Sequence, residues 1–217
     1  MSGRRLGILG GTFDPIHCGH VETAAAAVRV LDLSAVLVVP ASVPPHRSEP
    51  FASAFHRFAM VAMAVAGRPG WLASDIEVSV PQARSFTVDT LRRFHDRGYR
   101  AAELFFILGA DAFVEIGTWR DYPGVLDLAN FAVVSRPGNA AGHLRGRLPA
   151  LAGRMVDATA ALRAPDRPAI IVIDAPTPDV SSTAVRRRVA EGETVAGMVP
   201  PGVLQHIEQH GLYRSDS

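Results

Sequence analysis

Leu6-Gly7-Ile8-Leu9 is a short apolar run that gives way at once to Gly10-Gly11-Thr12, and then to an alanine-rich run from Val21 to Leu33. A buried strand that passes through a glycine turn into a helix returns across the sheet, so its partner strand lies parallel to it. The same alternation recurs down the chain. Strands are expected at Arg5–Leu9, Ala35–Val39, Ile76–Val80 (Ile76, Val78 and Val80 alternating with polar residues, closed by Pro81), Glu103–Leu108, Phe131–Ser135 and Ala169–Ile173. Helices are expected at Gly19–Leu31, Ala54–Ala66, from Ser85–Thr90 to about Arg97, at Gly124–Leu128, from Ser181–Thr183 to about Glu191, and at Pro201–Gln209. The predicted class is α/β, a doubly wound parallel sheet with helices on both faces. Residues 138–168, rich in Gly, Ala, Arg and Pro with weak periodicity, read as a surface excursion.

With 217 residues, 48% apolar and 20% charged, the chain is long enough for one large domain, expected to span 1–217. A net charge of +1 provides no global field to recruit nucleic acid or an anionic membrane, so an anion site has to be a local pocket. The longest apolar run, near Phe58–Ala66, is far short of a bilayer span. Arg4 and Arg5 are followed too soon by glycines and Asp14 for a signal peptide, and the expected compartment is cytoplasmic. The single cysteine, Cys18, excludes an intramolecular disulfide and an all-cysteine zinc site, and reads as a packing residue. No carboxylate cluster for a protein-held metal is evident.

The chemistry concentrates in a few places. Glycines at a strand-to-helix turn let the backbone approach a ligand, and the helix start offers unpaired N–H groups to an anion. The first loop is neither a Walker A motif nor G-x-G-x-x-G. It carries His17 and His20 around Gly19, where imidazoles can donate to phosphate oxygens and stabilise developing charge. One histidine at a helix start is ordinarily a cap or a packing group. The pair directly after Gly10, Gly11 and Thr12 points to a bound nucleotide triphosphate. Ser181, Ser182 and Thr183 open a later helix with Arg186 one turn on, and residues at i+3 and i+4 share a face. A helix start carries about half a positive charge, so with the guanidinium this group suits β- and γ-phosphates; an ordinary cap with a solvated arginine is the plain alternative. Gly109 and Asp111 follow a buried strand at its C-terminal end, where ligands bind in open α/β sheets. Asp111 either accepts from ribose hydroxyls or caps a helix.

The stretch Gly10-Gly11-Thr12-Phe13-Asp14-Pro15-Ile16-His17-x-Gly19-His20 resembles the signature of the nucleotidylyltransferases with a His-x-Gly-His motif. Over nearly its full length the chain is similar to the bacterial nicotinate-nucleotide adenylyltransferases. The elements that carry this are Val43-Pro44-Pro45-His46-Arg47, Ser85–Leu91, Gly109-Ala110-Asp111 with Trp119, Ser135–Gly138, Ser181-Ser182-Thr183-x-x-Arg186 and the tail Val199-Pro200…Gly211-Leu212-Tyr213. The resemblance implies a Rossmann-like fold of the nucleotidylyltransferase type. It implies transfer of AMP from ATP to nicotinate mononucleotide in NAD biosynthesis, with Mg²⁺ carried by the ATP phosphates. His17, His20 and Arg186 would be catalytic. Trp119 would stack on the nicotinate ring, and Ser85, Thr87, Thr90 and backbone N–H groups near Thr87 and Arg120 would receive its carboxylate, unless Ser85–Thr90 is only a helix cap. His46 and Arg47 suit phosphates of either substrate, and Arg136 would flank the adenine or a phosphate. Rival readings are an adenylyltransferase for nicotinamide mononucleotide or phosphopantetheine, a fragment of a class I aminoacyl-tRNA synthetase, and a non-catalytic nucleotide sensor. Homo-oligomerisation stays open.

Overall fold

Five of the six expected apolar runs form strands, largely buried because helices cover both sides of the sheet. A computed structural model describes residues 4–43, 49–79, 84–161 and 167–215. In chain order the elements are β1 (Leu6–Gly11), α1 (Cys18–Leu31), β2 (Ala35–Pro40), α2 (Ala54–Val65), β3 (Trp71–Ala73), α3 (Thr87–Asp96), β4 (Leu104–Gly109), α4 (Ala110–Phe113), β5 (Asn130–Val134), α5 (Leu144–Arg147), β6 (Met155–Asp157), α6 (Ala158–Ala161), β7 (Ile170–Ile173), α7 (Ser182–Ala190) and α8 (Pro201–Gln209). A 3₁₀ turn at Gly124–Asp127 occupies the place of the expected short helix.

The sheet runs β3-β2-β1-β4-β5-β7-β6, and every pairing is parallel. Successive side chains divide between its two faces. Leu9, Phe105, Ile107, Ala132 and Val134 join the core under α1, α2, α7 and α8. Ile8, Phe106, Leu108, Phe131 and Val133 join the opposite core under α3 and α4. The order reverses between β1 and β4, and open parallel sheets bind ligands at such a switch point, beyond the strand C-termini. The pairing of these two strands ends at Leu9↔Ile107. Gly10-Gly11 and Leu108-Gly109 therefore diverge and leave a crevice between them.

Two expectations fail. Ile76, Val78 and Val80 do not make a strand: 76–79 is a turn closed by Ser79 N–H donating to the Asp75 carbonyl at 2.9 Å, and Val80 and Pro81 lie outside the described residues. The alternation has another cause, because Ile76 is an isolated buried anchor in a loop. The edge strand is instead Trp71–Ala73, whose three residues are too few to show a period. Residues 138–168 are more than a surface excursion. They supply β6, the opposite edge of the sheet, and Ala141, Leu144, Leu151 and Met155 are buried in the core.

Candidate active site

The crevice holds two cavities that share a wall of Gly10, Gly11, Thr12, Leu108 and Ala112. One, of about 240 Å³, is bounded by Phe106 and Trp119 on one side and by Ser85, Thr87 and Thr90 on the other. The second, of about 300 Å³, is bounded by His20, Asp111, Arg136, Ser182 and Arg186. An aromatic chamber thus lies beside a cationic one.

The cationic chamber is built around the start of α1. His17 is the N-cap, in extended backbone conformation, and its N–H donates to His20 Nδ1 at 3.3 Å. That bond leaves the proton of a neutral His20 ring on Nε2, which makes Nε2 a donor. The two rings stack with centroids 3.6 Å apart, and the edge of Phe13 packs on His20 at 5.0 Å. Phe13 holds a left-handed backbone (φ 52°), a strained state for a bulky residue that its burial maintains. His17 is only 2% exposed and stands behind His20, without lining either cavity. Burial, and secondarily the charge of Arg136, lowers its pKa from 6.5 to about 3, so the ring is neutral at any working pH. Among the described residues its buried Nδ1 has no hydrogen-bond partner.

Arg136 reaches across the crevice and is held by the carbonyls of Val180 (3.0 Å) and Pro178 (3.5 Å). Two glycines pack closely against it. A Cβ on Gly19 would lie 2.6 Å from Nη1, and one on Gly109 would lie 2.8 Å from Cγ and collide with Asp111 Oδ1. Arg186 is fixed by the Asp14 carbonyl (2.6 Å) and by Thr183 Oγ1 (3.4 Å), with its guanidinium 4.7 Å from the Phe51 ring centre. Two guanidinium groups and the positive end of α1 therefore converge on one cavity, a field that suits a polyanion.

Of the expected residues, Gly10, Gly11, Thr12, His20, Gly109, Asp111, Ser182, Arg186 and Arg136 line the cationic cavity, and Ser85, Thr87, Thr90 and Trp119 line the aromatic one. Ser181 and Thr183 line neither: Ser181 caps α7 by accepting from Ala184 N–H at 3.1 Å, and Thr183 holds Arg186. Ser182 donates to the Pro15 carbonyl at 2.9 Å, which fastens α7 to the first loop. His46 and Arg47 lie outside the described residues.

Three groups went unrecognised in the sequence. Arg57 is 1% exposed and donates to the carbonyls of Ala41 (2.6 Å), Thr12 (2.8 Å), Ser42 (2.9 Å) and Ala52 (3.2 Å). Burial lowers its pKa, opposed first by the nearby Asp14. A signal was present, since Arg57 occupies the buried stripe of α2 with Met60, Val61, Ala64 and Val65. Asp14, 4% exposed, accepts from Phe51 N–H (2.8 Å), Ala52 N–H (3.1 Å) and the Tyr213 hydroxyl (2.8 Å). Burial and the adjacent Asp14 push the Tyr213 pKa up. Glu77 takes a hydrogen bond from the Thr90 hydroxyl on the aromatic chamber, and burial raises its pKa. Neither Asp14 nor Glu77 carried a periodic signal.

A parallel sheet with this switch point, and a His-x-Gly-His helix start facing a cationic cavity, define a nucleotidylyltransferase. The chain belongs to the cytidylyltransferase-like family, whose model matches residues 8–188. Within that class it falls among proteins named for one activity. It is 43% identical over 215 residues to the "Probable nicotinate-nucleotide adenylyltransferase" of Roseiflexus sp. (strain RS-1), covering 99% of this chain and 100% of that one. It is 40% identical over 218 residues to the protein of the same name from Desulfatibacillum aliphaticivorans, covering 96% and 99%. In fold it is similar to the Plasmodium falciparum nicotinic acid mononucleotide adenylyltransferase solved with NaAD, at 17% identity and TM-score 0.70 over 97% of this chain and 98% of that one. The same enzyme solved with APC gives 16% identity and TM-score 0.68 over the same shares.

Proposed function

We propose that this chain transfers the adenylyl group of ATP to nicotinate mononucleotide, giving nicotinate adenine dinucleotide and pyrophosphate. The observation that carries this is the pair of chambers meeting at the Gly10–Thr12 wall, one suited to an aromatic ring and one to a triphosphate. The names of relatives at 40–43% identity over the whole chain support the same acceptor.

A phosphate oxygen of the mononucleotide attacks the α-phosphorus. A new P–O bond forms there, the bond to the bridging oxygen breaks, and pyrophosphate leaves with the electron pair. The second pKa of a phosphate monoester is about 6, so the nucleophile is already largely dianionic and needs no general base. What the protein supplies is alignment of two anions and stabilisation of charge in the transition state. His20 Nε2, Arg136 and the start of α1 face the α-phosphate in this reading, and Arg186 with Ser182 holds the departing phosphates. His17, neutral near pH 7, keeps His20 in register from behind. Trp119 stacks on the pyridine ring, and Ser85, Thr87 and Thr90 with backbone N–H groups near Arg120 receive its carboxylate. Asp111 accepts from a ribose hydroxyl.

Asp14, Asp111 and Glu49 reach the cationic cavity, but the Asp14 carboxylate already accepts three hydrogen bonds. Among the described residues no three acidic side chains come together there. Asp111 and Glu49 would be the oxygen ligands at hand for Mg²⁺ carried on the phosphates, the rest coming from nucleotide and water. When bound, Mg²⁺ neutralises phosphate charge. No described helix is long and apolar enough to cross a membrane.

Pyrophosphate release from Mg·ATP tests the proposal, with nicotinate mononucleotide, nicotinamide mononucleotide and phosphopantetheine compared in parallel. Preference for the nicotinate acceptor is expected. Turnover with none of the three would leave only a nucleotide-binding role, and preference for phosphopantetheine would overturn the acceptor assignment.

A further inference from the structure

Outside both cavities, on the face of the sheet covered by α2 and α8, three histidines meet. His56 lies in the first turn of α2, His206 near the end of α8, and His210 four residues on, at the α8 C-cap. His56 Nδ1 and His206 Nε2 are 3.0 Å apart. The ring centroids are separated by 4.3 Å (His206–His210), 4.9 Å (His56–His210) and 5.2 Å (His56–His206). One ligand nitrogen from each ring lies within 4.8 Å of the others, and among the described residues no other three His, Cys, Asp or Glu groups come together in this way.

We propose that His56, His206 and His210 bind a divalent zinc ion, with water in the fourth position. Imidazole is a preferred ligand of borderline cations such as Zn²⁺, whose tetrahedral Zn–N bonds of about 2.0–2.1 Å place ligand nitrogens about 3.4 Å apart. His56 Nδ1 and His206 Nε2, at 3.0 Å, are already near that spacing, and the His210 ligand nitrogen lies within 4.8 Å of both. Histidines at i and i+4 project from one helix face, so α8 presents a ready chelating pair and α2 adds the third ligand. Mg²⁺, which prefers oxygen and retains its waters, does not compete for three nitrogens. His206 is 6% exposed while His210 is open to solvent, so the site is anchored inside and accessible from outside.

The position gives the ion a consequence. His56 precedes Arg57, which grips the carbonyls of Thr12, Ala41 and Ser42. His210 precedes by three residues Tyr213, whose hydroxyl holds Asp14. Zinc at this point clasps α2 to α8 and thereby braces the two segments that converge on Asp14 behind the cationic cavity. The site is structural, and it stands or falls independently of the adenylyl-transfer reading.

The test uses the full chain, stripped with a chelator, in millimolar Mg²⁺ and without nucleotide. Zn²⁺ is titrated calorimetrically and Co²⁺ serves as a visible-absorption probe. One equivalent should bind, Co²⁺ should give the intense visible bands of tetrahedral coordination, and Zn²⁺ at a hundredfold excess over Kd should raise the thermal midpoint by about 5–10 °C. His210→Ala, at an exposed position, should weaken Zn²⁺ binding at least about tenfold while leaving the metal-free midpoint near that of the parent chain; His56→Gln should weaken it similarly. His20→Asn should bind Zn²⁺ normally. Absence of saturable one-to-one binding overturns the proposal, as does unchanged affinity in His210→Ala. Loss of binding in His20→Asn would move the ion to the first loop and equally overturn it.

Discussion

His20 lines the cationic cavity with its Nδ1 taken by the His17 backbone N–H, and His17 stacks on it from a buried position. Of the motif's two histidines, one lines the cavity and the other is buried behind it. His20→Ala should lower kcat by about 10²-fold or more with a small change in the KM for ATP, as for loss of one transition-state donor. His17→Ala should lower kcat as well, by displacing His20, and an effect confined to KM in His20→Ala would reduce His20 to uniform binding. His17 also predicts a pH effect. Its pKa falls from 6.5 to about 3 on folding, so between these values the unfolded chain binds the extra proton. Stability is therefore full above about pH 6.5 and declines as the pH falls toward 3. Denaturant titrations from about pH 7 to 4 should show a shallower decline for His17→Gln than for the parent chain; parallel profiles would refute the assignment. Trp119 is confined to the aromatic chamber and lies edge-on to Phe106 at 5.9 Å, so its removal is expected to affect one substrate only. In Trp119→Ala the KM for the mononucleotide should rise about tenfold or more while that for ATP stays nearly constant, in line with about 1 kcal/mol or more from aromatic contact.

At the scale of elements, α2 matters through Arg57, whose guanidinium joins the β1 loop, the end of β2 and the Ala52 turn. Arg57→Met keeps much of the volume but leaves buried carbonyls without donors, each worth about 1–3 kcal/mol. Urea unfolding should register a loss of at least about 3 kcal/mol, and a change under 1 kcal/mol would show that water replaces the guanidinium. Arg57 was legible in principle, as a cation on an apolar helical stripe, yet its partners are carbonyls of three separate segments that no sequence period connects. The long elements were legible for the reason that β3 and β6 were not: six residues of β1 or fourteen of α1 display a pattern, and three-residue edge strands do not. The alternation at Ile76 misled because a loop can bury a single apolar residue as effectively as a strand.

For the molecule as a whole, the site exists because the sheet changes direction between β1 and β4. Gly109 is the sensitive point of that junction, since a methyl group there meets both Asp111 and Arg136. Gly109→Ala should raise the KM for ATP at least about tenfold while the cores on either face keep the fold; a normal KM would mean that Asp111 and Arg136 yield without cost. The sequence alone determined the α/β class, the order of most strands and helices, and most of the residue types that line the cationic cavity. Those follow from local signals: hydrophobic period, glycine turns, and a motif contained within eleven residues. The tertiary structure decided which of those residues share a cavity. Arg186 lies 172 residues from the Asp14 carbonyl that positions it, and Tyr213 lies 199 from the Asp14 carboxylate it secures. It also decided that His17 is neutral, because desolvation depends on what packs around a ring. And it brought His56 to His206 and His210 across 150 residues, which only the packing of α2 on α8 could do.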